Sequence, residues 1–276
     1  MRVRQKPPLS YYGGKQNMLK HILPMIPHHE IYVEPFAGGA AVFFAKKPCK
    51  VEVLNDTNDR LITFYRVLKT KFDELNTMIQ GTLHSESDYY RAKDIYQNQG
   101  NYTDVEIAWA VWVQCNMSFG NKIEGGFAFN DGRKKRAWIT KGQFYKKERM
   151  DNLNLELSHT YFFSRSFFEL PELYNNPEAF YYIDPPYLNS ECGHYGGWTE
   201  EDEKSLMKWI EKINGKFLLS GYPNKIRDSF IDKNGWNYKE IEQTLSVSGK
   251  DNKGKKKIET LIWNYEIEGQ TLSLFG

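Results

Sequence analysis

Cysteine is scarce in this chain and badly spaced for chemistry. Cys49, Cys115 and Cys192 are three in number and far apart. No pair has the spacing of a zinc site or a redox couple, so free thiols in a reducing compartment are expected. Long apolar runs are missing as well, and no stretch could cross a bilayer as a helix. The basic N-terminus, Met1-Arg2-Val3-Arg4-Gln5-Lys6, has no apolar segment behind it and does not read as a secretion signal. The expected location is therefore cytoplasmic. Charge of one sign is also lacking: a net +2 over 276 residues means that any surface for a polyanion must be local. His28, His29 and His194 have no partners at metal-ligand spacing, so no metal is expected. The dinucleotide glycine pattern is absent too, because Phe36 to Ala40 contains Gly38 and Gly39 alone.

What is present is an α/β alternation. Lys15 to Ile26 has apolar residues at helical spacing. Ile31-Tyr32-Val33 reads as a short buried strand, followed by Glu34-Pro35-Phe36-Ala37-Gly38-Gly39-Ala40 and a helix starting near Ala41. Val51 to Leu54 is a second strand ending at Asn55-Asp56, with a helix from about Asp59 to Leu68 behind it. This is the opening of a doubly wound α/β sheet. The alternation stops between residues 71 and 149, where helical patterns dominate, notably Val105 to Val113 with Trp109 and Trp112, which read as core. It resumes with strands at Thr160 to Phe163, Ala179 to Ile183 and Lys216 to Leu219, and a helix beginning at Thr199. Two last strands, near Trp236 to Ile241 and Thr260 to Ile267, predict an antiparallel hairpin that closes the sheet edge. The expected organisation is a sheet domain made of residues 1–70 and 150–276, interrupted by a mainly helical insert at 71–149.

Three places carry chemistry. After the first strand, the glycine turn lets a ligand approach the backbone at a helix N-terminus. Asp56, twenty residues beyond Phe36 at the end of the second strand, can accept ribose hydroxyls. A turn not built around a pyrophosphate is consistent with an adenosyl group that lacks phosphates. Just before the first helix, Tyr11-Tyr12-Gly13-Gly14-Lys15 puts a cation where the macrodipole disfavours it, which points to a ligand carboxylate nearby. The third place is Asp184-Pro185-Pro186-Tyr187, at the end of the strand Phe180-Tyr181-Tyr182-Ile183. An acid, a proline carbonyl and an aromatic ring together suit a flat ring bearing an amine; the plainer alternative is a capped strand and a rigid turn. A basic stretch, Arg133 to Arg149, holds eight lysines and arginines against one acid, with Trp138, Phe144 and Tyr145 interleaved. It could neutralise phosphates or simply be a solvated face.

In their order along the chain, Tyr12-Gly13-Gly14-Lys15, Glu34-Pro35-Phe36-Ala37-Gly38-Gly39, Asn55-Asp56, Asp184-Pro185-Pro186-Tyr187, Leu219-Ser220-Gly221-Tyr222 and Glu259-Thr260-Leu261-Ile262-Trp263-Asn264-Tyr265 resemble the Dam-type DNA adenine-N6 methyltransferases. The resemblance implies a Rossmann-like methyltransferase sheet and an inserted target-recognition domain. It also implies methyl transfer from S-adenosylmethionine to adenine N6 in double-stranded DNA, with a cognate restriction enzyme as a conceivable partner. By similarity, Tyr11, Lys15, Phe36, Gly38, Asp56 and Asp184 would contact the cofactor. Asp184, Pro185, Pro186 and Tyr187 would hold the target base. Asn116, Lys134, Lys135, Arg136, Lys141, Lys146 and Lys147 would contact DNA. Two departures stand out. Ser166-Phe167 lacks the acid that relatives place before this aromatic, and Asn116-Met117-Ser118-Phe119-Gly120 lacks the arginine that GATC-specific relatives use on a guanine, so GATC is not carried over. Methylation of another planar amine (cytosine N4, RNA adenine or a protein glutamine) and a silent nucleic-acid-binding relative are the competing readings.

Overall fold

The computed structural model of the chain describes residues 7–128, 157, 159–188, 197–244 and 256–267. Its strands are β1 (Ile31–Glu34), β2 (Val51–Asn55), β3 (Thr160–Phe163), β4 (Ala179–Ile183), β5 (Lys216–Gly221), β6 (Asn237–Thr244) and β7 (Lys256–Trp263). They form one seven-stranded sheet in the order β3-β2-β1-β4-β5-β7-β6. The pairs β1/β4, β4/β5 and β2/β3 are parallel, whereas β7 runs antiparallel to both β5 and β6. The fold is the expected Rossmann-like α/β sheet with an antiparallel hairpin at one end. By packing, the chain falls into two compact units: Met1–Leu23 with Phe36–Leu170, and Pro24–Pro35 with Pro171–Gly276.

In the first unit, β2 leads into four helices: α3 (Asp59–Thr70), α4 (Phe72–Gly81), α5 (Glu86–Gln97) and α6 (Asp104–Met117). Helix α6 packs against the other three and is apolar nearly all round, the signature of a central helix. Trp109 and Trp112 lie in this core, as expected. A reciprocal cap starts α6: Thr103 Oγ1 accepts from Glu106 N at 3.3 Å, and Glu106 Oε2 accepts from Thr103 N at 3.0 Å. Lys15 to Ile26 is not one helix. It breaks into a 3₁₀ turn (Lys15–Asn17), a single turn, α1 (Leu19–Ile22), and a second 3₁₀ turn (Leu23–Met25). Pro24 offers no N–H to extend the ladder, and no side chain caps the start. After the glycine turn comes α2 (Ala41–Ala45). The basic stretch 133–149, with Lys134, Lys135, Arg136, Lys141, Lys146 and Lys147, lies outside the described residues.

In the second unit, all five residues of β4 are buried, as expected for a strand covered on both faces. Two helices belong here, α7 (Glu200–Ile210) and α8 (Lys225–Asn234). The first begins at Thr199, as the sequence predicts; a capping box closed by Asp202 starts it, and four acids stand in its opening turn. The last strand begins at Lys256 and stops at Trp263, earlier at both ends than expected. Its end has a clear cause. The Asn264 side chain takes the Phe217 N–H at 2.9 Å and donates to Gly215 O at 3.1 Å, standing in for the next rung of the ladder.

An ion pair between Glu203 of α7 and Arg227 of α8 is almost without solvent contact, with side chains 0% and 2% exposed. Trp198 Nε1 and Asn224 Nδ2 add donors to the carboxylate at 2.6 and 3.2 Å, and Arg227 Nη1 donates to Ser220 O at 3.3 Å. A Cβ on Gly221 would collide with this guanidinium, so a glycine is required where β5 ends. Replacing Arg227 by Met strands the buried Glu203 charge, and a loss of about 3–5 kcal/mol in unfolding free energy is expected. Urea denaturation followed by circular dichroism checks this; an unchanged midpoint would show the pair to be dispensable.

Candidate active site

The turn after β1 is held through both backbone polar groups of one residue. Gly38 has φ 47°, its N–H donates to Asp56 Oδ2 at 3.0 Å, and its carbonyl accepts from the Tyr65 hydroxyl at 2.7 Å. Asp56 Oδ1 takes the Asn58 N–H at 2.9 Å, and the residue is 2% exposed. Asp56 is thus first a clamp on two backbone turns, a task its spacing from Phe36 does not disclose. The glycines also have a neighbour that the sequence does not reveal. A Cβ on Gly39 would sit 2.8 Å from Tyr11 Cβ, and one on Gly38 would sit 3.3 Å from two Tyr11 ring carbons. Tyr11 therefore lies where those side chains would be. It also opens the turn that closes with Gly14 N on Tyr11 O at 3.1 Å. Lys15 follows and is 6% exposed, with its ammonium 3.5 Å from Gly13 O.

Phe36 is half-buried, with its ring centroid 5.3 Å from that of Phe167; Phe168 lies 4.0 Å beyond and is 54% exposed. An accessible aromatic surface and a buried cation in one unit are a fitting set for an adenosyl ring and an amino-acid carboxylate. Neither residue alone would be specific.

The second unit supplies a different cluster. Asp184 follows β4; its Oδ1 accepts from Ser220 Oγ at 3.0 Å and lies 3.3 Å from the Tyr187 hydroxyl. The Tyr182 hydroxyl lies 3.1 Å from Ser220 Oγ and serves as its donor when Ser220 gives its own hydrogen to Asp184. The Tyr187 hydroxyl also reaches Glu259 Oε1 at 3.2 Å, and its ring lies 4.4 Å from that of Tyr222, tilted by 49°. Burial, reinforced by the Asp184 and Glu259 carboxylates, pushes the Tyr187 phenol well above its ordinary range. The plainer alternative of an inert strand cap does not account for this convergence of two carboxylates, three phenols and a hydroxyl. Pro185 is buried and Pro186 half-buried in the same turn.

Sequence reasoning assigned no task to Ser220, Tyr222 or Glu259. A signal was available for Ser220, since in a parallel sheet the carboxyl ends of neighbouring strands converge. Asn116, expected on DNA, donates its amide to Trp112 O at 2.7 Å within α6. Nearby, Phe119 is 79% exposed on a short loop anchored by the Phe119 N–H to Gly126 O at 2.9 Å and by the Ser118/Phe127 bridge. Among the described residues no group of three or more His, Cys, Asp or Glu side chains is placed to hold a metal ion, and no helix is long and apolar enough to cross a membrane.

A family model described as D12 class N6 adenine-specific DNA methyltransferase matches residues 11–247, a span reaching from Tyr11 through β6. The chain belongs to this family. The D12 enzyme is 27% identical to the type II methyltransferase M.MjaIII of Methanocaldococcus jannaschii, a match covering 94% of this chain and 99% of that relative. It is 25% identical to the type II methyltransferase M1.LlaDCHI of Lactococcus lactis subsp. cremoris, over 96% of this chain and 97% of the relative. With the DNA adenine methylase of Escherichia coli K12 it shares 21% identity over 94% of each. Membership makes this protein a DNA adenine-N6 methyltransferase that uses S-adenosylmethionine.

Buried phenols give the D12 enzyme an alkaline limit. Burial raises the Tyr96 phenol from its ordinary range to about 12, and Tyr181, Tyr187 and Tyr265 are also raised. A raised folded value means that stability is fully present below about pH 10 and is lost as pH climbs through the folded values, because the unfolded chain ionises first. Urea midpoints are expected to hold at pH 9 and to drop clearly by about pH 11. Flat midpoints across that range would contradict this.

Proposed function

We propose that this methyltransferase receives its adenine, turned out of double-stranded DNA, at Asp184-Pro185-Pro186-Tyr187. The observation that supports this most is the Asp184 carboxylate at the end of β4, fixed by Ser220 and adjoining the Tyr187 phenol. The N6 lone pair of adenine is delocalised into the ring and is a poor nucleophile. Accepting its hydrogens, Asp184 Oδ2 and the Pro185 carbonyl favour a pyramidal nitrogen and meet the positive charge that develops during transfer. Tyr187 would lie against the base and limit its orientation, and the energy of unstacking the base is offset by these contacts. S-adenosylmethionine supplies the electrophilic methyl when bound. Tyr11, Phe36, Gly38 and Lys15 are assigned to its binding, with Phe36 toward the adenosyl ring and Lys15 toward the carboxylate. Asp56 still has acceptor capacity for ribose, since a carboxylate offers about four lone-pair sites.

Target recognition is assigned to residues 71–149. Lys134, Lys135, Arg136, Lys141, Lys146 and Lys147 would meet phosphates, and Asn116 of α6 is assigned to DNA as well. Phe119, exposed on a held loop, has the form of an apolar wedge for a base step. Several relatives carry type II names, so a cognate restriction enzyme belongs to this reading as a partner. The reaction would take place in the cytoplasm.

Asp184→Ala is expected to abolish formation of N6-methyladenine from labelled cofactor while leaving DNA affinity within about twofold. Undiminished turnover would remove Asp184 from the reaction. Lys135→Ala should lower DNA affinity in low salt and reduce the slope of log K against log salt by about 1; an unchanged slope would exclude a phosphate contact.

A further inference from the structure

One phenolic hydrogen lies between two carboxylates. The Tyr187 hydroxyl is 3.3 Å from Asp184 Oδ1 and 3.2 Å from Glu259 Oε1, and it can donate fully to one of them. Its raised proton affinity keeps that hydrogen in place through the neutral range. Glu259 sits in β7, 1% exposed. A carboxylate buried this far is expensive unless it is engaged by donors or an opposite charge. One compensating charge is at hand: Lys257 Nζ is 3.9 Å from Glu259 Oε2 and 5.8 Å from the centre of the Tyr222 ring, which itself packs on Tyr187. Asp184 has its own donor in Ser220. Among the described residues, Asp184, Glu259, Lys257 and Tyr222 are titratable groups close to the phenol.

We propose that Glu259 is a positioning residue for methyl transfer: it takes the Tyr187 phenolic hydrogen, fixes the ring through it, and so keeps that hydrogen off Asp184. A hydrogen bond from the phenol to Asp184 would withdraw electron density from the oxygen pair that must accept the adenine amine. Charge-assisted hydrogen bonds compete for the same lone pairs, so an acceptor already loaded by a hydroxyl and a phenol is weaker toward a third donor. Glu259 prevents this by offering the phenol a second anion. Electrostatic preorganisation of this sort acts where charge develops, so it affects turnover more than binding.

The inference rests on the assignment of Asp184 as the amine acceptor, and the tests separate the two. Four variants, Glu259→Gln, Glu259→Asp, Tyr187→Phe and the Glu259→Gln/Tyr187→Phe pair, are compared with Asp184→Ala in single-turnover methylation of duplex DNA. Cofactor and DNA dissociation constants and thermal midpoints are measured alongside. With Glu259→Gln the phenol turns to Asp184, and the transfer rate is expected to fall about tenfold with both dissociation constants within about twofold. Glu259→Asp keeps the anion and should recover part of that loss. The informative result is the double variant: with no phenol left to load Asp184, the Gln substitution should cost nothing further, and the rate should return to that of Tyr187→Phe. If the two losses multiply, or if Glu259→Gln transfers at the parental rate, the proposal is wrong. A structural role for Glu259 would instead lower the thermal midpoint and weaken both dissociation constants in Glu259→Gln and the double variant alike. Full activity in Asp184→Ala would overturn the assignment of Asp184 itself, whatever Glu259 does.

Discussion

The ion pair of Glu203 and Arg227 is the interaction on which the end of β5 depends. Two charges with almost no solvent are costly, and each is engaged: the carboxylate by Trp198, Asn224 and the guanidinium, the guanidinium by Glu203 and the Ser220 carbonyl. The pair thereby fixes the end of β5 from behind. Ser220 is then presented to Asp184, and Gly221 is obligatory because the guanidinium fills the space of its missing side chain. Tyr222 follows and meets Tyr187. A salt bridge between two helices is therefore tied to the strand end from which Ser220 reaches Asp184.

The other unit uses the same logic with backbone rather than charge. Asp56 and Tyr65 hold the two polar atoms of Gly38, and Tyr11 lies over Gly38 and Gly39. Small residues are needed there because an aromatic ring from an earlier segment is packed on them. The result is a turn with little freedom before any ligand arrives, which lowers the ordering cost of binding.

Much of this was legible in the sequence, for physical reasons that can be named. Parallel strands buried on both faces appear as apolar runs such as Ala179–Ile183, and Asp184 marks where that run ends. Helix α7 announced itself through Thr199 and a cluster of acids. What stayed hidden depends on distant neighbours. Nothing local ties Tyr11 to Gly39, Gly221 to Arg227, or Tyr187 to Glu259, which is 72 residues away. The first helix was overread because apolar spacing persisted through Pro24, where the backbone could not follow. Strand β7 was displaced in the reading because Asn264 looks like a strand residue until its amide is seen replacing a rung.

Strand β7 lies between β5 and β6, although it is last of the seven in the chain. During synthesis β5 must wait, one edge open, for a segment made more than thirty residues later. That same segment carries Glu259. A polypeptide interrupted before Lys256 would lack both the strand that seals β5 and the second anion beside Tyr187.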